Sequence, residues 1–340
     1  MHFFTRYLVK LLRTKFINII SFAFVIVFGS SAILFYIEPQ TFDTPLDALW
    51  LVMTTVVTVG YGDLSPTTTL GKAYTMGILY VFGIGIIGLL IGKVMDSLYT
   101  YRQLKEEGKL EYKGEKHYIF IGSVSKIRQA IKEILDSDPK ATFVYIGEQE
   151  KSPFPEGHVH FVQGYPSDED VLLSANLFHA RSVSIFADED ISNAVFADGK
   201  SLLIASAVEK LSEEHNQNVH TIVEIMKESH ISKFKHVNID EFILSNEAIS
   251  RLVAQASLHQ GSSELFRQLM SKKYGDNLFE ITAKPDWKNY RDAFMALLNQ
   301  GATLVADRHQ LDINRKLDEP IPNDAKLFVV CDKETYEQIK

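Results

Sequence analysis

At 340 residues, with 46% hydrophobic and 23% charged residues and a mean hydropathy of -0.02, the chain has the bulk of two or three domains and an ordinary globular average. That composition excludes a collagen-like, disordered or disulfide-stapled chain, and the single cysteine, Cys331, leaves no intrachain disulfide and no need of an oxidising compartment. A net charge of -8 excludes the concentrated basic surface that nucleic acid requires.

The average hides a partition. Residues 1–100 carry six basic groups and five acidic ones, leaving 29 of the 35 basic and 38 of the 43 acidic residues to the other 240. Within that first third, the 22 residues between Lys15 and Glu38 and the 20 between Lys72 and Lys93 contain no charge. Roughly 20 apolar residues of helix cross a hydrocarbon core of about 30 Å, so each segment reads as a membrane span. The first exceeds the typical apolar run of a signal peptide, about 7–15 residues, and a second span follows it. Arg6, Lys10, Arg13 and Lys15 precede the first span, and Lys93, Arg102, Lys105 and Lys109 follow the second. The positive-inside rule then places both termini in the cytoplasm, in a multi-pass arrangement.

Between the spans runs QTFDTPLDALWLVMTTVVTVGYGDLSPTT. It opens with a helix start: Thr44 as N-cap, Pro45 at the first helical position and Asp47 three residues after the cap. The apolar run after it is only about a dozen residues, too short to span, and reads as a re-entrant half-helix. Thr58-Val59-Gly60-Tyr61-Gly62-Asp63 follows directly. A dehydrated cation needs oxygen ligands all around it. To aim successive backbone carbonyls of an extended segment at one axis, some residues must be left-handed, which glycine reaches without a Cβ penalty. One chain supplies one side of such a cage, so four copies are expected around it. The half-helix turns its negative C-terminal end toward the same axis.

This hexad resembles the potassium-channel filter, and span–pore helix–span resembles the two-helix class of those channels. The resemblance implies potassium sites at the carbonyls of Thr58, Val59, Gly60 and Tyr61, with Gly62 completing the filter and the Thr58 hydroxyl at its inner end. It also implies support from Trp50, whose alternative role is an interfacial anchor, and from Asp63. Among the glycines of the second span, Gly83 resembles the gating hinge of ligand-gated members, with Gly85 the rival. Asp96 reads either as a ring of charge at the inner mouth or as a solvated helix end.

Residues 99–116 are polar and read as a linker. Strands are then expected at 117–121, 142–146, 160–162, 183–186, 221–225 and 242–245, and helices at 125–135, 167–175 and 192–210. Such alternation predicts a doubly wound parallel sheet with its ligand beyond the strand C-termini. Of the dinucleotide fingerprint, only Gly122 is present. Val124 and Ile127 stand where the other glycines belong, while Glu148 stands where a ribose-binding acid would. The usual NAD mode is disfavoured and a modified adenine-nucleotide mode stays open.

FVQGYPSDEDVLLSANLFHARSVSIFADED is similar to the domains that regulate potassium conductance, the RCK or TrkA-N type. Residues 278–340 resemble the smaller C-terminal lobe, of TrkA-C type. The whole is identified with prokaryotic two-helix potassium channels carrying RCK domains, the calcium-gated, MthK-like group. The expected fold is therefore a tetrameric α-helical pore domain (1–98), a linker (99–116), a Rossmann-like α/β domain (117–245), crossover helices for dimerisation (246–277) and a small α+β lobe (278–340). By that resemblance, RCK domains pair into a gating ring that pulls on the inner helix. Additional soluble RCK copies, started internally near Met95, are an open alternative. Calcium in that group is held after the fourth strand and on the fifth. Asp188, Asp190 and Glu224 are the residues that match here, beside Glu189, with Met226 where a second carboxylate belongs. His215, His220, His230 and His236 lack metal-ligand spacing. Two rivals are a membrane-anchored Rossmann oxidoreductase and a regulatory nucleotide-binding subunit of a potassium transporter. The first would need a complete phosphate loop and a recognisable catalytic pair, and the second would need no pore of its own.

Overall fold

The computed structural model describes residues 16–189, 191, 193–271 and 275–340. Asp190, Ser192 and the basic residues Arg6, Lys10, Arg13 and Lys15 lie outside them. The described chain divides into two units that meet at Leu104 and Lys105.

In the first unit, helix α1 (Phe16–Ile37) is the uncharged first span. Helix α2 (Pro45–Val56) starts where its cap dictates. The Thr44 hydroxyl accepts from Asp47 N at 3.3 Å, and Asp47 Oδ2 accepts from Thr44 N at 2.8 Å. Such a reciprocal cap contributes about 0.5–2 kcal/mol. Leu34, Ala48, Val52, Val56, Leu79 and Ile86 form the core between α1, α2 and the second span, while most other apolar side chains of the two spans face outward.

The second span runs as α3 (Thr69–Tyr74), a π-helical segment (Thr75–Ile84) and α4 (Gly85–Glu106). Its 38 residues exceed what the bilayer core requires by nearly a factor of two. The first part of the expected linker is helical: residues 99–106 (YTYRQLKE) are polar but hold no Gly or Pro, so the helix continues through them. Gly108, at φ +65, follows the helix end.

The second unit holds a six-stranded sheet in the order β3-β2-β1-β4-β5-β6, parallel throughout. The strands are β1 (His117–Ile121), β2 (Phe143–Gly147), β3 (Val159–Gln163), β4 (Ala180–Ile185), β5 (Thr221–Ile225) and β6 (Glu241–Leu244). Helices α5 (Val124–Ser137), α6 (Glu169–Ser174) and α7 (Ala194–Glu214) connect them, each within a few residues of its expected range. Ile119, Val144, Val183 and Val223 on the central strands are fully buried with Leu172, Ala205 and Val208 of the helices. At about 1.5–3 kcal/mol for each large aliphatic side chain, this packing is the main stabilising term. The strand order reverses between β1 and β4, which leaves a crevice beyond their C-terminal ends. Residues 108–112 lie against this unit. Gln163 N donates to Gly108 O at 3.0 Å, Tyr112 N to Ser174 O at 2.8 Å, and His160 Nε2 lies 2.8 Å from Leu110 O.

Helices α8 (Ser245–Leu258) and α9 (Ser262–Met270) follow, then a three-stranded antiparallel sheet in the order β7-β9-β8, from β7 (Asn277–Thr282), β8 (Thr303–Asp307) and β9 (Lys326–Cys331). Helices α10 (Tyr290–Asn299) and α11 (Lys333–Ile339) cover it around Trp287, Leu297, Leu327 and Val329.

Candidate functional site

The segment after α2 has the backbone that a carbonyl cage requires. Thr58, Gly60 and Gly62 all adopt positive φ, at 59°, 54° and 76°, so every second residue is left-handed. For Thr58, which is β-branched, this is an unusual conformation. It is held by Thr58 N donating to Thr55 O at 3.0 Å, while Val59 N and Gly60 N both donate to Thr54 O, at 2.8 and 3.0 Å. The outer end is fixed from α2: Trp50 Nε1 donates to Asp63 Oδ2 at 2.9 Å, and the Trp50 and Tyr61 rings stack with centroids 5.5 Å apart. Val59 and Tyr61 are more than half exposed in the single chain.

Beyond the filter lies a contact that sequence reasoning missed. Glu38, directly after α1, is 1% exposed. Its Oε1 accepts from Thr68 N and Oγ1, at 2.9 and 2.6 Å, and its Oε2 from Thr67 N and Oγ1, at 3.1 and 3.0 Å, and from Thr41 Oγ1 at 2.8 Å. Burial alone would raise the carboxyl, but these donors outweigh it and hold the group at about 2. The loop after the filter is thereby tied to the first span. Gly71 sits so close that a Cβ there would overlap the Glu38 carboxylate. The available signal was a lone acid at a span end facing a Thr-Thr pair.

Gly83 lies in the π segment against α2, where a Cβ would meet Val56 Cγ2 at 2.8 Å. Gly85 has open space around it and begins α4, where the π and α registers meet. The two candidate hinge residues thus differ in kind.

In the second unit, a cleft of about 530 Å³ opens beyond the ends of β1, β2 and β4. Gly122, Ser123, Ser125, Tyr145, Glu148, Gln149, Asp188, Glu189 and Lys200 are among its lining residues. Gly122 has φ +108, and a Cβ there would overlap the Phe186 carbonyl, so glycine is required for the close approach of β1 to β4. Among the described residues, Glu148, Asp188, Glu189 and Glu224 each have a partner. Lys200 Nζ lies 3.2 Å from Asp188 Oδ2 and 3.4 Å from Glu148 Oε1. Burial pulls the Lys200 ammonium down, but the two carboxylates outweigh that and raise it. Ser125 Oγ lies 2.9 and 2.8 Å from the two Glu189 oxygens at the start of α5. Glu224, on β5, binds Lys126 Nζ at 2.7 Å and accepts from Ala187 N at 2.9 Å. Sequence reasoning missed Lys126, Lys200 and Ser125.

These pairings bear on the expected calcium ligands Asp188, Asp190 and Glu224. Calcium requires six to eight oxygens. Among the described residues no group of three or more His, Cys, Asp and Glu side chains is placed to hold a metal, Asp188 and Glu224 are bound by lysines, and Asp190 lies outside the description. The usual dinucleotide mode also fits poorly. Val124 stands in the turn and the Glu189 carboxylate at the helix N-terminus, where that mode places a pyrophosphate. Glu148 and Gly122 both line the cleft, Glu148 beside Lys200.

The chain has relatives among known proteins. Residues 20–100 match the ion channel family and residues 128–245 the TrkA-N domain. The chain is 32% identical to the potassium channel protein YugO of Bacillus subtilis (strain 168), over 70% of each chain. It is 30% identical to the calcium-gated potassium channel TvoK of Thermoplasma volcanium, over 69% of this chain and 66% of that one. Among solved structures, the fold resembles the GsuK channel (TM-score 0.50, 15% identity, 94% of this chain) and the human SLO3 gating ring (TM-score 0.52, 14% identity, 66% of this chain). The chain spans 58% and 46% of those two chains. A pair of apolar spans around a half-helix, followed by a Rossmann-like domain, thus meets a relative similar along most of its length: the chain belongs to the potassium channels that join an ion-channel pore to an RCK domain of TrkA-N type.

Proposed function

We propose that this chain is the subunit of a homotetrameric, potassium-selective channel of a plasma membrane, with both termini cytoplasmic, whose conductance is set by a small ligand in the RCK cleft. The observation that carries the reading is the alternation of left-handed residues at Thr58, Gly60 and Gly62 directly after a capped half-helix. Four such segments around one axis would offer the carbonyls of Thr58, Val59, Gly60 and Tyr61 in place of a hydration shell.

Gating follows from connectivity. The second span continues as α4 to Glu106, so the helix runs without a break into the first residues of the second unit. Movement of that unit would be passed to the inner helix, with Gly85, the unobstructed glycine, as the favoured bending point over Gly83. An adenine nucleotide bound through Glu148 and the Gly122 turn is the proposed ligand class, and it biases the gate only by binding one state more tightly than the other. Pairing of RCK domains is supported by the exposed Ile249, Val253, Leu258, Leu265 and Phe266 on α8 and α9. An enzymatic role has no support from a complete phosphate loop.

The test is rubidium uptake into potassium-loaded vesicles containing the purified protein, with and without ADP, ATP and NAD. Uptake that a nucleotide alters supports the whole reading. Vesicles impermeable to rubidium under every condition would refute it.

A further inference from the structure

Glu224 lies deep beside the cleft, with its side chain 6% exposed. A buried carboxylate must be compensated by charge or hydrogen bonds. Its two oxygens are used by two different elements: Lys126 from the first turn of α5, and the main chain of Ala187 at the end of the β4 strand segment. The neighbouring hydroxyl, Ser125, holds Glu189 of the same loop. On the other side, Lys200 of α7 takes up Asp188 and Glu148. Two ammonium groups therefore sit among four carboxylates that converge from β2, the β4–α7 loop and β5.

We propose that Lys126 is the residue that decides ligand class at this cleft: its ammonium takes the position of a divalent cation between Glu224 and the 187–189 loop, closing the site to calcium. A lysine serves this role because it is a compact point charge with three donors on a long stem, able to reach a buried acid from a helix 98 positions away in sequence. It performs the cross-linking that an ion would, joining α5 to β5 while β4 is joined through Ala187. A calcium ion seeking Glu224 would have to displace that ammonium and then find at least five further oxygens. The consequence for gating rests on the reading of the cleft as the regulatory site. The cation specificity itself does not.

The experiment uses the full-length protein in detergent, with terbium emission sensitised by Tyr145 of the cleft and thermal unfolding with and without calcium. The unmodified protein is expected to give background terbium emission and an unfolding midpoint unmoved by millimolar calcium. Lys126→Gln frees Glu224 and should gain roughly tenfold or more in calcium affinity, seen as terbium emission that calcium competes away and a calcium-dependent rise in midpoint. Lys126→Arg keeps the charge and should stay silent. The doubly neutral Lys126→Gln/Glu224→Gln protein, which leaves no buried charge unpaired, should fold and also stay silent. Calcium stabilisation of the unmodified protein would overturn the proposal, as would a Lys126→Gln protein no more responsive than Lys126→Arg. If Lys126→Gln does not fold, calcium response in the folded double variant becomes the overturning result and silence there, with silence in the unmodified protein, the supporting one. Rubidium flux is measured separately, so loss of the channel reading and loss of this proposal give different signatures.

Discussion

Glu38 gives the sharpest quantitative test of how the filter is held. Its carboxyl falls from 4.5 to about 2, a net preference for the charged, docked form despite burial. At 1.36 kcal/mol per pKa unit, that difference corresponds to about 3 kcal/mol, or on the order of 100-fold in the equilibrium between a docked and a released outer loop. Glu38→Gln removes the charge and presents an amide nitrogen to one of the two main-chain donors, Thr67 N or Thr68 N, which then loses its acceptor. The predicted outcome is a fall of about two orders of magnitude in hydrogen-exchange protection of the Thr67 and Thr68 amides, while amides within α2 keep theirs. The sign with pH is fixed. A carboxyl lowered on docking contributes fully above about 4.5 and loses its contribution as pH falls toward 2. Protection at these amides should therefore be flat between about pH 5 and 8 and decline only in stronger acid. Unchanged protection in Glu38→Gln would refute the clamp.

Trp50→Phe keeps the ring but deletes the donor to Asp63, a loss of about 0.5–1.5 kcal/mol, and should shorten sustained rubidium uptake without preventing assembly; uptake equal to the unmodified protein would contradict the contact's role. Gly83→Ala forces a Cβ to within 2.8 Å of Val56 Cγ2 and should lower the thermal midpoint, by overpacking of about 1–3 kcal/mol, whereas Gly85→Ala meets nothing and should leave it in place while altering gating. Equal midpoints for the two would refute the packing distinction. His117 and His160 are both lowered, first by burial, which opposes their charged forms. Their contribution is therefore complete above the free value of about 6.5 and is lost as pH falls below it. Tyr112 packs on both rings, so exchange protection of the Tyr112 amide should decrease below that pH and recover in part in His160→Gln, in which the side chain no longer titrates.

Much of this architecture is legible in the sequence because its cues are local. The uncharged runs mark the spans, Thr44-Pro45-x-Asp47 marks the start of α2, and glycines two apart mark the left-handed filter. The strand–helix alternation gives the parallel sheet, and each strand is short enough that burial leaves little freedom in placing it. What escapes is pairing between distant residues. Glu38 reads as one acid at a span end until Thr67 and Thr68 are brought to it across the outer loop. Asp188 and Glu224 read as free oxygens until Lys200 and Lys126 arrive from two helices, and composition alone records charge without its partner. Residues 99–106 escape for a different reason. Polarity there describes the solvent that the helix meets, while helical continuity depends on the absence of a breaker before Gly108.

The proposed role of the segment from Thr58 to Gly62 is to discriminate among monovalent cations, and the reversal potential under bi-ionic potassium and sodium conditions measures it directly. The unmodified protein in planar bilayers should reverse far toward the potassium equilibrium potential. Gly60→Ala, which asks an L residue to hold φ +54 at a cost of about 1–2 kcal/mol in each subunit, should lose that displacement or conduct nothing. A reversal potential near zero in the unmodified protein, or one that Gly60→Ala leaves unchanged, would contradict the account.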